Sequence, residues 1–117
     1  ETALSLWLAE QLACVHRGDA SPMLFFEFVT SSREPEVREK LQAIYGKILD
    51  YAGEFLAEKQ KQGEIAEGLD PDSIGVMVSA LSKGILLEWV IDPERFELQT
   101  LIQTVSRVLW RGLAPKK

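Results

Sequence analysis

The segment that decides the fold is residues 63–113, GEIAEGLDPDSIGVMVSALSKGILLEWVIDPERFELQTLIQTVSRVLWRGL. Two Asp-Pro steps frame its apolar centre. Asp70 precedes an apolar run, and its carboxylate can accept hydrogen bonds from the free N–H groups of a helix's first turn. Pro71 suits the first helical position, which needs no donor. Asp92 and Pro93 follow the run and are predicted to close that helix and turn the chain toward the next one.

Outward from this segment, apolar residues recur near 100° per residue, which predicts about five helices and no strand. The predicted helices are residues 2–16, 22–31, 35–62, 71–91 and 97–112. Gly63 should end the third helix, because glycine readily takes the left-handed conformation. Gly46 and Gly53 lie off the apolar stripe of that helix and predict a kink or a close neighbour. The predicted fold is all-α, an orthogonal or antiparallel helical bundle with short connections.

The composition fits one soluble domain that covers residues 1–117. Hydrophobic residues make up 46% of the chain and charged residues 26%, which argues against disorder. The net charge of −5 works against binding a phosphate backbone, so the chain should not bind DNA by itself. Cys14 is the only cysteine, so no internal disulfide can form and a reduced cytoplasmic setting is the default. The chain starts at Glu1 rather than methionine, which suggests a fragment or a processed product.

No membrane span or catalytic centre is predicted. The most apolar run, residues 75–91, contains Lys83 and Glu88 and is expected to be too short and too mixed to cross a bilayer. Glu27 groups by angle with polar residues on a solvated face. His16 is two residues from Cys14, and such positions do not face each other on a helix. With no further ligands at suitable spacing, we expect no metal, no cofactor and no enzyme activity.

Two faces of the last helices could serve either packing within the chain or contact with a second subunit. On residues 71–91, the small residues Gly75, Ser79 and Ser82 share a face with Leu86, which would let another helix approach closely. On the final helix, Trp110 lies roughly 120° from the inward stripe. It is either an interface anchor or a single exposed aromatic.

The helices also carry many aromatic and flexible side chains, most of which must be core. Gln11 is different, because it interrupts an apolar stripe and a buried amide needs hydrogen-bond partners. Those partners could belong to a bound ligand, to a backbone carbonyl or to a water molecule.

The order of motifs in the last half resembles TetR-family transcriptional regulators. The resemblance rests on a Gly-Glu-Ile turn, Asp-Pro, a Gly-Ile-Leu-Leu-x-Trp helix, Asp-Pro-x-x-Phe and a closing helix that ends Arg-Gly-Leu. It is similar to the end of the ligand-binding and dimerisation domain of that family. Lys83 departs from the pattern, which often has an acidic residue before Gly84, and the loop of residues 17–21 looks longer than usual.

The resemblance implies a homodimer in which the last two helices of each subunit form a four-helix interface. It also implies a small apolar or amphipathic effector, and DNA binding only through an N-terminal helix-turn-helix domain absent from these residues. The implied interface residues are Gly75, Ser79, Ser82, Leu86, Gln103, Ser106 and Trp110. The implied pocket residues are Trp7, Gln11, Phe26, Tyr45, Ile48, Met77, Leu81 and Trp89. The alternative is a stand-alone dimeric helical interaction module that senses no ligand.

Overall fold

The computed structural model describes residues 33–116 together with Glu27, Thr30 and Ser31. This part of the chain contains three complete helices and no strand. They are α1 (Pro35–Lys61), α2 (Pro71–Ile91) and α3 (Leu98–Leu113). The prediction of an all-α fold is therefore confirmed, with three helices in the described part instead of five in the whole chain. The predicted helix of residues 2–16 and most of the predicted helix of residues 22–31 lie outside the described residues.

The ends of α1 follow the sequence signals closely. Pro35 stands in the first turn, and α1 ends at Lys61, one residue earlier than predicted. Gly63 has a φ of 81°, and its N–H donates to the Gln60 carbonyl at 3.0 Å. The prediction that Gly63 ends this helix is confirmed, since that φ belongs to the left-handed region that glycine adopts without a steric penalty.

The connection between α1 and α2 is held by one side chain that the sequence pattern does not single out. The Gln60 amide donates to the carbonyl oxygens of Ala66 at 2.8 Å and of Leu69 at 2.7 Å. The Ala66 N–H in turn donates to the Leu113 carbonyl at 2.8 Å. Because these bonds satisfy backbone groups of a loop, they fix its path and join it to the end of α3.

Both Asp-Pro steps act as predicted. The Asp70 carboxylate accepts from the Ser73 N–H at 3.0 Å and from the Ser73 hydroxyl at 2.6 Å, and Pro71 opens α2. At the other end α2 stops at Ile91, and the Asp92 N–H donates to the Glu88 carbonyl at 3.1 Å. Helix α3 begins one residue later than predicted, because Glu97 is its cap and accepts from the Thr100 N–H at 2.7 Å.

These caps predict a specific dependence of stability on pH. The Ser73 hydroxyl and N–H lower the pKa of the Asp70 carboxyl, and Thr100 does the same for the pKa of Glu97. A carboxyl whose folded pKa is lowered stabilises the fold above its unfolded pKa, and that stabilisation is lost as pH falls through the folded pKa. We therefore expect the free energy of unfolding to decrease below about pH 4, the ordinary range of these carboxyls.

The measurement is urea unfolding across that pH range. The Asp70→Asn and Glu97→Gln double variant keeps amide oxygens as hydrogen-bond acceptors but removes the two titrations, so its acid dependence should be shallower. Asp50→Asn, an exposed acid in the middle of α1, is the control and should keep the wild-type slope. Equal slopes in the double variant and the wild type would contradict this assignment.

Among the described helices, α1 and α2 form the close pair, and α3 stands further off. A Cβ on Gly75 would lie 3.4 Å from the Ala52 Cβ, and a Cβ on Gly53 would collide with the Asp72 carboxylate. The close neighbour predicted at Gly53 is thus confirmed, whereas no heavy atom lies within 4 Å of a Cβ at Gly46. The core joins all three helices to the loop. It consists of Leu56, Ile65, Ile74, Val78, Leu109 and Leu113.

Helix α2 is more apolar than its role in this core requires. With 21 residues it is roughly 31 Å long, and by length and composition it could cross a membrane. The apolar run of residues 75–91 was predicted to be too short and too mixed to cross a bilayer, whereas the complete helix passes this test of length and composition. One such helix is weak evidence for a membrane span, because core helices of soluble proteins pass the same test. Less than a third of its most apolar window is buried in the chain, so α2 presents apolar surface outward.

Candidate functional site: an apolar groove between α2 and α3

A groove runs between α2 and α3, which lie antiparallel. One section of about 660 Å³ lies toward the end of α2, where Glu88 approaches Phe96. A second section of about 350 Å³ lies toward the start of α2, where Ser73 approaches Gly112, and Met77 lines both. The first section is lined by Met77, Ala80, Leu81, Gly84, Ile85, Glu88, Phe96, Leu101 and Val105. The second is lined by Leu69, Asp70, Ser73, Ile74, Met77, Val108, Leu109, Gly112 and Leu113.

The walls of the groove are apolar and open to solvent. Met77 is 39% exposed and Leu81 37%, and on the facing helix Val108 is 63% exposed. No heavy atom lies within 4 Å of a Cβ placed on Gly84 or Gly112, so both helices offer room for a close neighbour. Exposed apolar side chains in such a row mark a surface that something else covers.

The charged residues of the groove sit at opposite ends. Glu88 lines the section near the start of α3. Arg107 and Arg111 lie at the other end of α3, where they line a polar cleft of about 250 Å³ next to Val108. Asp70 also lines the groove at that end, so an acidic residue stands at each end of the groove and the two arginines lie beside it.

Two of the predicted interface residues are buried within the single chain. Gly75 and Leu86 are buried within the chain, and Gly75 faces Ala52 of α1. The close helix approach that these small residues allow is thus made by α1 of the same chain. Ser82 donates to the Val78 carbonyl at 2.9 Å, and Ser79 accepts from the Lys83 ammonium at 3.0 Å.

The remaining predicted interface residues lie on α3. Trp110 is half-buried and packs against the core of its own chain. Gln103 is exposed and Ser106 is half-buried. Their contact with a second subunit stays a prediction.

The predicted ligand-pocket residues divide into three groups. Trp7, Gln11 and Phe26 lie outside the described residues. Met77 and Leu81 both line the groove, as described above. Tyr45, Ile48 and Trp89 do not line it: Ile48 is exposed on α1, and Trp89 is half-buried on another side of α2.

Tyr45 instead takes part in a polar arrangement between α1 and α2. The Lys83 ammonium lies 4.3 Å from the centroid of the Tyr45 ring and donates to the Ser79 hydroxyl. Burial lowers the pKa of Lys83 and raises the pKa of Tyr45. In the sequence, Lys83 stands out as a charge within an apolar run and as a departure from a family pattern. Its contact with Tyr45 could not be predicted, because a cation–π contact between two helices has no local signal.

Metal-binding and ion-pair chemistry is sparse in the described part of the chain. No group of three or more His, Cys, Asp or Glu side chains there could hold a metal ion. The single ion pair among these residues joins Lys59 and Glu64 at 3.3 Å, at the end of α1.

The described part of the chain is thus all-helical, with an open apolar groove between its last two helices. Comparison with known families identifies the family of this domain. The profile of the BetI-type transcriptional repressor C-terminal domain matches residues 2–114. The chain belongs to this family, which confirms the resemblance to the C-terminal domain of TetR-family regulators. No curated protein and no solved structure matches the chain.

Proposed function

We propose that this chain is the effector-sensing and dimerisation domain of a TetR-type transcriptional repressor. The observation that carries the proposal is the exposed apolar groove between α2 and α3, in a chain of a repressor family. Apolar surface of this extent is costly to leave in water, so a covering partner stabilises the protein.

The occupant of the groove is a second copy of the chain. In a two-fold dimer each patch meets the same patch of the partner, so the groove must complement itself. An antiparallel pairing brings the Glu88 end of one copy toward the other copy's Arg111, which lies in the cleft beside the groove. Gly84 and Gly112 leave space for the partner's backbone. Two copies of α2 and α3 then form a four-helix interface, built on the groove walls and not on Gly75 and Leu86.

Regulation follows from coupling between this dimer and an effector. The net charge of −5 leaves DNA binding to a separate N-terminal helix-turn-helix domain, and the regulator works in the cytoplasm. A small apolar or amphipathic effector would bind one arrangement of the two subunits more tightly than another. Only such differential binding shifts the population of dimers toward the arrangement whose two DNA-binding domains no longer fit successive major grooves.

The test is a reporter-gene assay with a fusion protein. The chain is joined to a helix-turn-helix head that represses only as a dimer. We expect repression by the fusion, and partial release of repression when a straight-chain primary alcohol such as decanol is added. The same head without the chain is the control and should not repress.

Two results distinguish the alternatives. A fusion that does not repress would refute dimerisation. A fusion that represses but responds to none of a series of straight-chain alcohols would favour the stand-alone interaction module, whose groove serves assembly only.

A further inference from the structure

Lys83 is an unusual residue for the middle of α2. Apart from Asp72 in the first turn and Glu88 near the end, it is the only charged residue of this helix. By helical periodicity it lies on one face with Val76, Leu87 and Val90, at i−7, i+4 and i+7. All three are exposed. Lys83 is thus a single cation in the middle of an exposed apolar stripe.

The surroundings of Lys83 orient its charge but do not neutralise it. An ammonium group has three N–H donors, and among the described residues only the Ser79 hydroxyl, at 3.0 Å, accepts one of them. The face of the Tyr45 ring, 4.3 Å away, attracts the cation without removing its charge. No carboxylate of the described residues forms an ion pair with it. Two donors therefore remain for another molecule.

This stripe lies beside the groove proposed for the second copy. Lys83 lies roughly 120° from Met77 and roughly 160° from Leu81 around α2, whereas Leu87 lies roughly 80° from Met77 and next to Ala80 at the edge of the groove. A ligand of this stripe must suit one cation that is flanked along the helix by apolar side chains.

We propose that Lys83 binds the carboxylate of an amphipathic ligand whose apolar part lies along Val76, Leu87 and Val90. The inference rests on the proposed function, because it names the chemical class of the effector: an anionic amphiphile. Tyr45 and Ser79 are positioning residues, since they hold the ammonium between α1 and α2. Burial lowers the pKa of Lys83, which means that an anion at this position relieves an electrostatic cost.

The test compares three probes that share one alkyl chain and differ in head-group charge: decanoate, decanol and decyltrimethylammonium. Each is titrated calorimetrically into the full 117-residue chain, below the concentration at which the probe forms micelles. We expect decanoate to bind about tenfold more tightly than decanol, the size of one charge-assisted hydrogen bond. The cationic probe should bind more weakly than either.

Substitutions assign this preference to Lys83. Lys83→Met should weaken decanoate binding about tenfold and leave decanol binding unchanged, while Lys83→Arg should retain the preference. Lys47→Met is the matched control, because Lys47 is exposed on α1 and its loss changes the net charge by the same amount. Circular dichroism of each variant checks that the fold is kept.

The outcomes separate this inference from the proposed function. Equal binding of all three probes, or a preference for the cationic one, would overturn the role of Lys83 and leave a ligand-sensing domain in place. Binding of none of the probes would count against both. Decanoate preference that survives Lys83→Met would show that another group binds the carboxylate, and binding only to decanoate-containing vesicles would indicate a membrane surface instead.

Discussion

Replacing Val108 with glutamate should convert a dimer of this chain into monomers. Val108 is 63% exposed in the single chain and lies at the centre of the α3 wall of the groove. If a second copy covers it, the new carboxylate loses most of its hydration, and Arg107 and Arg111 of the neighbouring cleft offset only part of that cost. Such a buried charge costs about 3 kcal/mol or more, which is roughly a hundredfold in the dimer dissociation constant.

The measurement is molar mass by light scattering over a dilution series. The control is Ile44→Glu, which places the same charge at an exposed apolar residue of α1, away from the groove. It should leave the dimer intact. A wild-type chain that is already monomeric at high concentration, or a Val108→Glu variant with unchanged mass at every dilution, would contradict the proposed interface. Unchanged circular dichroism in the variant would confirm that the effect is on association.

The helix ends could be predicted from the sequence because their causes are local. The Asp70 carboxylate accepts from the N–H of Ser73, three residues along the chain. Gly63 ends α1 because its own backbone has a positive φ, which glycine adopts readily. Glu97 shows the limit of this reasoning. It was assigned to the helix, although its side chain caps the first turn. A cap and a first helical residue differ by one position, which periodicity alone does not resolve.

The face of α2 that meets a partner could not be predicted for a physical reason. This helix is apolar on nearly every side, so no solvent-facing polar stripe indicates its orientation. The small residue Gly75 signals a close approach, and the structure shows that approach. The sequence does not say whether the approaching helix belongs to the same chain, and it is α1 that contacts Gly75.

Tertiary contacts from polar side chains were missed for a similar reason. Gln60 fastens the loop before α2, and Lys83 reaches Tyr45 across two helices. Either residue could equally have been a solvated surface residue, because long polar side chains at helical spacing are common there. The inward arc of α3 is wide enough for the Trp110 ring, which lies off the main apolar stripe, to reach the core.

Replacing Leu56 with alanine should produce the largest loss of stability among single truncations of α1. Leu56 has 0% exposure and belongs to the cluster that joins α1 to Ile65 of the loop, Val78 of α2 and Leu109 of α3. Removing its side chain leaves a cavity at the meeting point of all these elements. Such truncations cost about 2–5 kcal/mol, a large share of the roughly 5–15 kcal/mol that stabilises a domain.

Urea unfolding followed by circular dichroism measures this loss, at several protein concentrations because a dimer's stability depends on concentration. Ile48→Ala is the matched control: it removes a similar side chain from the same helix, but Ile48 is exposed. We expect its cost to stay within about 0.5 kcal/mol, as for surface substitutions generally. If the two variants unfolded at the same urea concentration, Leu56 would not be the residue through which α1 supports the loop and α3. The groove, whose α3 wall depends on that support, would then have to be held in place by other contacts.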